Sequence, residues 1–216
     1  MAELTVPQEH EVPHHFDDLE QEFESSKMGM WLFLASEIMM FGALLVGGFI
    51  LLYRFPGAFA EGRAHLSLGM GTLNTFFLLT SGFTMALAAL HGQRSDQAGV
   101  RRYLWLSLLF AAGFLVVKAL EYSTKFHHGT LPGPFWSAEG FTDQHAHLFF
   151  GFYFASTGLH VIHVLIGMGL MIWCLLVSRK VKFTRAYITP LELSGLYWAL
   201  VDLVWLILFP LLYLVG

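Results

Sequence analysis

The chain has 216 residues, of which 56% are hydrophobic and 13% charged, with a formal net charge of -4. An ordinary soluble domain carries about 25% charged residues, so a water-soluble fold is excluded, and no basic surface points to nucleic acid. The single cysteine, Cys174, excludes an intrachain disulfide.

Residues 1–27 are polar and hold Glu9, Glu11, Asp17, Asp18, Glu20, Glu22, Glu24, His10, His14 and His15. They read as an acidic cytoplasmic tail that can end in a short surface helix. The three histidines could bind a metal, but a solvated tail is the simpler account of them. The tail has neither the positive region nor the apolar core of a signal peptide.

Five apolar segments follow, at about 28–53, 71–90, 103–122, 147–177 and 191–215. Each reaches the length of about 20 residues that a helix needs to cross the hydrocarbon core. In lipid every backbone group must be bonded within its own segment. The predicted fold is therefore an all-α polytopic membrane bundle with five transmembrane helices, spanning 28–216. Lys27, Arg94, Arg101, Arg102, Arg179, Lys180, Lys182 and Arg185 lie on one side, against Arg54, Arg63 and Lys125 on the other. That asymmetry predicts a cytoplasmic N-terminus and an external C-terminus. Trp31, Tyr53, Tyr103, Tyr122 and Tyr213 fall near span ends, where amphipathic rings favour the interface. Gly82 with Ala86, and Gly151 with Ala155, are small pairs four apart that predict close helix contacts. Pro210 reads as a tolerated kink in the last span.

Ionisable side chains inside spans are costly and default to functional hypotheses. Glu37, about two turns into the first span, is either a proton-handling carboxyl or an interhelical hydrogen-bonding group. Lys118 and Glu121, three apart on one helical face, read as an internal ion pair, or as a lipid-headgroup site with Lys118 as the cation. His160 and His163 are expected to share a face of the fourth span, with Asp202 near the middle of the fifth. Two histidines and a carboxylate could make a metal site, with His145 and His147 at the start of the fourth span. A hydrogen bond from a histidine to Asp202 is the alternative use. His91, at the end of the second span, lies at the wrong depth to complete a haem site. Glu192 opens the last span. No nucleophile–base pair, phosphate loop or metal-binding cysteine pair is present, so no catalytic residue and no metal ligand is assigned.

Five ordered motifs carry a resemblance. They are KMGMWLFLASEIMMF at 27–41, NTFFLLTS at 74–81, KALEY at 118–122, FASTGLHVIHVLIG at 154–167 and YWALVDLVW at 197–205. They resemble, in sequence order, the last five helices of haem-copper oxidase subunit III, over about residues 14–215. The leader FDDLEQEF at 16–23 looks like that of the bacterial cytochrome c oxidase branch. The resemblance implies a non-catalytic subunit of a proton-pumping oxidase that reduces oxygen to water, in a bacterial inner membrane. It implies haems and copper in subunits I and II, no cofactor in this chain, and bound phospholipid. Partners would be subunit I directly, then subunit II and further respiratory subunits. Glu37 falls on the family's intramembrane carboxyl, tied to proton uptake or to subunit I. His160, His163, Glu192 and Asp202, with Lys118 and Glu121, fall on polar positions that fix helix contacts or lipid.

Two departures stand out. The full-length family has seven helices, and only the last five match here, as in bacterial forms whose other two helices are carried by subunit I. The family's usual Trp-His pair is Trp198-Ala199 in this chain, which removes whatever hydrogen bond that histidine makes. Competing readings are a subunit III-like protein of a nitric oxide reductase system, an independent haem- or metal-binding oxidoreductase using His160, His163 and Asp202, and a proton-coupled transporter using Glu37 and Asp202.

Overall fold

The computed structural model describes residues 19–127, 129–131, 136, 141–184 and 187–215. The first eighteen residues, including His10, His14 and His15, lie outside the described residues. Among the described residues six helices run in order: α1 (Leu19–Arg54), α2 (Pro56–Ala64), α3 (Leu68–Gln93), α4 (Gln97–His127), α5 (Ala146–Lys180) and α6 (Thr189–Tyr213). All but α2 are long and apolar enough to cross a bilayer, as expected for an all-α multi-pass bundle. Among the described residues the only β pairing is an isolated bridge between Thr130 and Trp136.

The helices overrun the apolar segments that announce them. α1 begins at Leu19 and not at residue 28, so the end of the acidic tail is continuous with the first span. Glu20 and Glu22 sit in its first turn, where carboxylates complement the helix dipole. Lys27 reaches back one turn to place its ammonium 5.0 Å from the centre of the Phe23 ring. The sequence reading assigned no element to α2, yet Pro56 starts it with a pre-set φ. Its buried face of Ala58, Phe59 and Gly62 packs on α5, Phe59 lying edge-on to Phe149 at 5.0 Å.

α6 is the most buried span and packs on α1, α3 and α5, while α5 also meets α1, α2 and α4, and α3 packs along α4. α3 and α4 form an antiparallel hairpin glued by Ser81 Oγ donating to the Ser107 carbonyl at 2.8 Å and by a 2.8 Å hydroxyl contact between Thr84 and Ser107. Such hydroxyl bonds hold helices together where lipid offers no hydrophobic drive. α1 is the least embedded span. It meets the bundle along a seam of Leu34, Phe41 and Gly48, seven residues apart, while Trp31, Leu32, Ile38, Met39, Phe49 and Ile50 stay exposed.

Small residues admit close crossings. A side chain on Gly167 would begin 2.5 Å from Trp198 Cε3, and one on Gly82 would run into the Asp202 carboxylate. The expected contact at Gly151 is not made. A Cβ there meets nothing within 4 Å, because that side of α5 faces outward.

The end of the bundle holding the α3–α4 and α5–α6 connections is its basic end. There Asp96 accepts from the Gly99 amide at 3.1 Å and pairs with His91 Nδ1 at 2.8 Å. These two contacts hold its carboxyl below the usual range. Ser95 takes the left-handed φ of 59° that closes the turn. The Gln97 side chain clamps Phe183, donating to its carbonyl at 2.5 Å and accepting from its amide at 3.1 Å. At the opposite end Glu61 of α2 accepts from the Thr142 amide at 2.6 Å, the Thr142 hydroxyl at 2.9 Å and the Asp143 amide at 2.8 Å. The Thr142 and Asp143 amides, followed by the Thr142 hydroxyl and nearby His65, hold the Glu61 carboxyl below its ordinary value.

Two outcomes are expected. Gly167→Leu overpacks against Trp198 and lowers thermal stability in detergent by about 1–3 kcal/mol, whereas Gly169→Leu, with nothing within 4 Å, leaves it unchanged. A carboxyl whose folded pKa is depressed contributes stability above its unfolded pKa and loses it as pH falls through the folded value. Amide exchange protection at Thr142 and Asp143 should therefore fall on acidification below about pH 4, and Glu61→Gln should abolish that pH dependence.

Candidate functional site: polar groups within the spans

The residues singled out by charge do not assemble into one centre. They form two bonded clusters and two isolated groups.

The first cluster joins α1 to α5. His163 is the central residue of α5, and Glu37 lies at the middle of α1. His163 Nε2 is 3.0 Å from Glu37 Oε2, while its Nδ1 is 2.8 Å from the Leu159 carbonyl of its own helix. An Nδ1–H donated to that carbonyl presents Nε2 as the acceptor, and a protonated ring donates at both positions. The ring lies edge-on to Phe41 at 5.0 Å and stacks on Tyr197 at 6.5 Å. Tyr197 Oη donates to the His163 carbonyl at 3.2 Å. Glu37 thus sits level with the midpoint of α5.

The second cluster is nearer the opposite end. Lys118 Nζ bonds Glu121 Oε2 at 2.8 Å, Tyr213 Oη at 3.0 Å and Tyr153 Oη at 3.2 Å. Tyr213 donates its hydroxyl to Glu121 Oε1 at 2.6 Å. Lys118 and Glu121 are each 2% exposed, so the lysine does not snorkel to a lipid headgroup. The ammonium lies 4.9–5.8 Å from the ring centres of Tyr122, Tyr153, Trp205 and Tyr213, a set of cation–π contacts that replaces part of its lost hydration. Three helices converge here, because α4 contributes Lys118, Glu121 and Tyr122, α5 Tyr153, and α6 Trp205 and Tyr213. Trp205 in turn donates its indole N–H to Thr75 of α3 at 3.0 Å.

His160 and Asp202 are the isolated groups. His160 and His163 do not face the same neighbours, since three residues leave an offset of about 60° around an α-helix. The His160 ring lies edge-on to Phe114 at 5.6 Å and against Trp205 at 5.2 Å, and both its nitrogens are buried without a protein partner. The expected hydrogen bond from a histidine to Asp202 is not formed. Asp202 is turned to α3, with Oδ2 against Gly82 and Oδ1 buried and unpaired. Asn74 is likewise fully buried with its amide unpaired. Glu192 sits at the basic end, accepting from Gln93 Nε2 at 3.3 Å. Among the described residues no three His, Cys, Asp or Glu side chains come together.

Sequence reasoning found one member of most of these contacts and missed the other. Tyr213 read as an interface aromatic, and Tyr153, Tyr197 and Trp205 carried no charge to draw attention. Their hydroxyls and indole lie on the helical faces of Lys118 and His163, a signal visible only once helices are paired.

The family profile for cytochrome c oxidase subunit III matches residues 14–216. The chain is 32% identical over 191 residues to cytochrome c oxidase subunit 3 of Corynebacterium diphtheriae, covering 87% of each protein. It is 31% identical to cytochrome bo(3) ubiquinol oxidase subunit 3 of Pseudomonas putida, over 88% of this chain and 85% of the relative. It is 30% identical to quinol oxidase subunit 3 of Bacillus spizizenii, over 88% and 86%.

Removing one side of the Lys118–Glu121 pair strands the other in a dry interior. Lys118→Met alone should destabilise the bundle by about 3–5 kcal/mol, whereas Lys118→Met combined with Glu121→Leu should cost much less. Thermal unfolding in detergent, read as a double-mutant cycle, measures the difference.

Proposed function

The chain belongs to the cytochrome c oxidase subunit III family, and from that premise we propose that it is the accessory subunit of a proton-pumping haem-copper terminal oxidase in a bacterial inner membrane. The match to the family over residues 14–216 is the observation that carries the reading. The haems and copper then belong to subunits I and II, and this chain contributes packing on subunit I, bound phospholipid and support of proton uptake. Its relatives are named for both cytochrome c and quinol oxidases at similar identity, so the choice of electron donor is assigned to other subunits.

The bonded clusters support a scaffolding role. The Lys118 cluster uses its charges and hydroxyls on one another. Phospholipid is assigned to the flanks of α1, where a narrow seam leaves Trp31, Ile38, Met39 and Phe49 exposed. Glu37 is the carboxyl proposed to act in proton uptake or in contact with subunit I. It is partly exposed beside its bond to His163, which leaves one oxygen for a group outside the chain. The proposed topology puts the basic end in the cytoplasm, following the Lys and Arg asymmetry.

The reading predicts that the chain co-purifies with a large haem-bearing subunit, and that a stable lone monomer is not its native form. Glu37→Ala should leave haem content per oxidase unchanged in the optical spectrum, while weakening retention of this chain or proton uptake during turnover. Loss of a haem from that variant would overturn the accessory role. A nitric oxide reductase as the co-purifying partner would reassign the chain to the alternative system.

A further inference from the structure

A cavity of about 510 Å³ opens between α3 and α6 on the outside of the bundle. Its mouth, at the basic end, is formed by Lys27, Gln93 and Glu192. Its floor is built from small residues, among them Gly82, Gly195 and Ala199, of the kind that let a neighbouring backbone approach closely. Ala199 and Leu203 along it are exposed. Trp198 and Asp202, one turn apart on α6, also line it.

Asp202 limits what can fill it. Its Oδ1 is shut inside the chain, but the residue is only half-buried, and its Oδ2, against Gly82 on the cavity wall, has no hydrogen-bond partner. Asp202 lies ten positions along α6 from Glu192, or about 15 Å at the usual rise. That distance reaches the middle of a hydrocarbon core about 30 Å thick. An acyl chain carries no donor or acceptor at such depth, and an unpaired polar group in hydrocarbon is costly. The occupant must therefore bring hydrogen-bonding atoms to mid-membrane, and a polypeptide helix is the structure that does so without exposing its own backbone.

We infer that the α3–α6 groove receives a transmembrane helix of another subunit of the same oxidase, whose polar side chain at mid-depth donates to the Asp202 carboxylate. Asn, Gln, Ser, Thr and His have the required donor. The small floor sets the register, with Gly82 allowing Asp202 to lie flat against α3. This inference rests on the reading of the chain as an oxidase subunit, and it adds which face is covered and by what chemistry.

The test uses the whole oxidase in native membranes, with a photoreactive diazirine side chain introduced at position 199 of this chain and, as control, at position 172 on the exposed face of α5. Illumination should join position 199 to a transmembrane segment of a second oxidase subunit that carries a polar residue at mid-depth, at least fivefold above position 172. Ala199→Phe, on an exposed position where the fold is not at risk, should lower retention of the chain in the purified oxidase at least fivefold. Asp202→Asn should retain it better than Asp202→Leu. Adducts with phospholipid alone, adducts with a second copy of this chain, or full retention of Ala199→Phe would each overturn the inference. If the chain still co-purifies with the haem-bearing subunit in those cases, the oxidase assignment stands. If it does not co-purify at all, both fall.

Discussion

Inside a bilayer a polar side chain has no water to return to, and the arrangement of this bundle follows from where each such group finds its partner. Lys118 shows the constraint most directly. Its ammonium is surrounded by a carboxylate, two phenol hydroxyls and four aromatic faces drawn from α4, α5 and α6, so one charge fixes three helices at once. Removing it from water is tolerable only because each direction of approach is filled by something electron-rich. α6, which supplies Trp205 and Tyr213 to that cluster and Asp202 to the groove, is accordingly the most buried of the spans.

The two clusters differ in how finished they are. Around Lys118 the donors and acceptors close on one another within the chain. At Glu37 and on the outer side of α6 they do not. Glu37 keeps an exposed edge, and half-buried Asp202 keeps an unpaired carboxyl on the groove. A polar group facing hydrocarbon without a partner is costly, so such residues mark where the folded chain ends and its assembly begins. For a member of an oxidase subunit family, that boundary is the expected location of its chemistry with neighbours.

Much of this was legible in the residues alone, and what was not has a physical cause. Five spans follow from uninterrupted apolar length, and the Lys118–Glu121 pair follows from i,i+3 spacing on one helix. The Glu37–His163 bond joins residues 126 positions apart, and no local pattern encodes it. The short helix α2 hides behind Pro56 and Gly57, which read as breakers although proline suits a first turn. The start of α1 hides because Glu20, Glu22 and Lys27 are polar, while hydropathy marks spans and not the helices that carry them past the membrane surface. Asp202 was matched to a histidine on grounds of depth, but helical azimuth turns it toward Gly82.

The 126-residue separation of Glu37 from His163 also bears on how the protein is made. At synthesis rates of about 5–20 residues per second, α1 exists in the membrane for roughly 6–25 s before the helix that satisfies its central carboxyl has been translated. α6, its main packing neighbour, arrives later still. During that interval a helix bearing an unpartnered acid must be retained by the insertion machinery or by an already assembled subunit, so biogenesis of this chain is tied to whatever shelters α1 until α5 emerges.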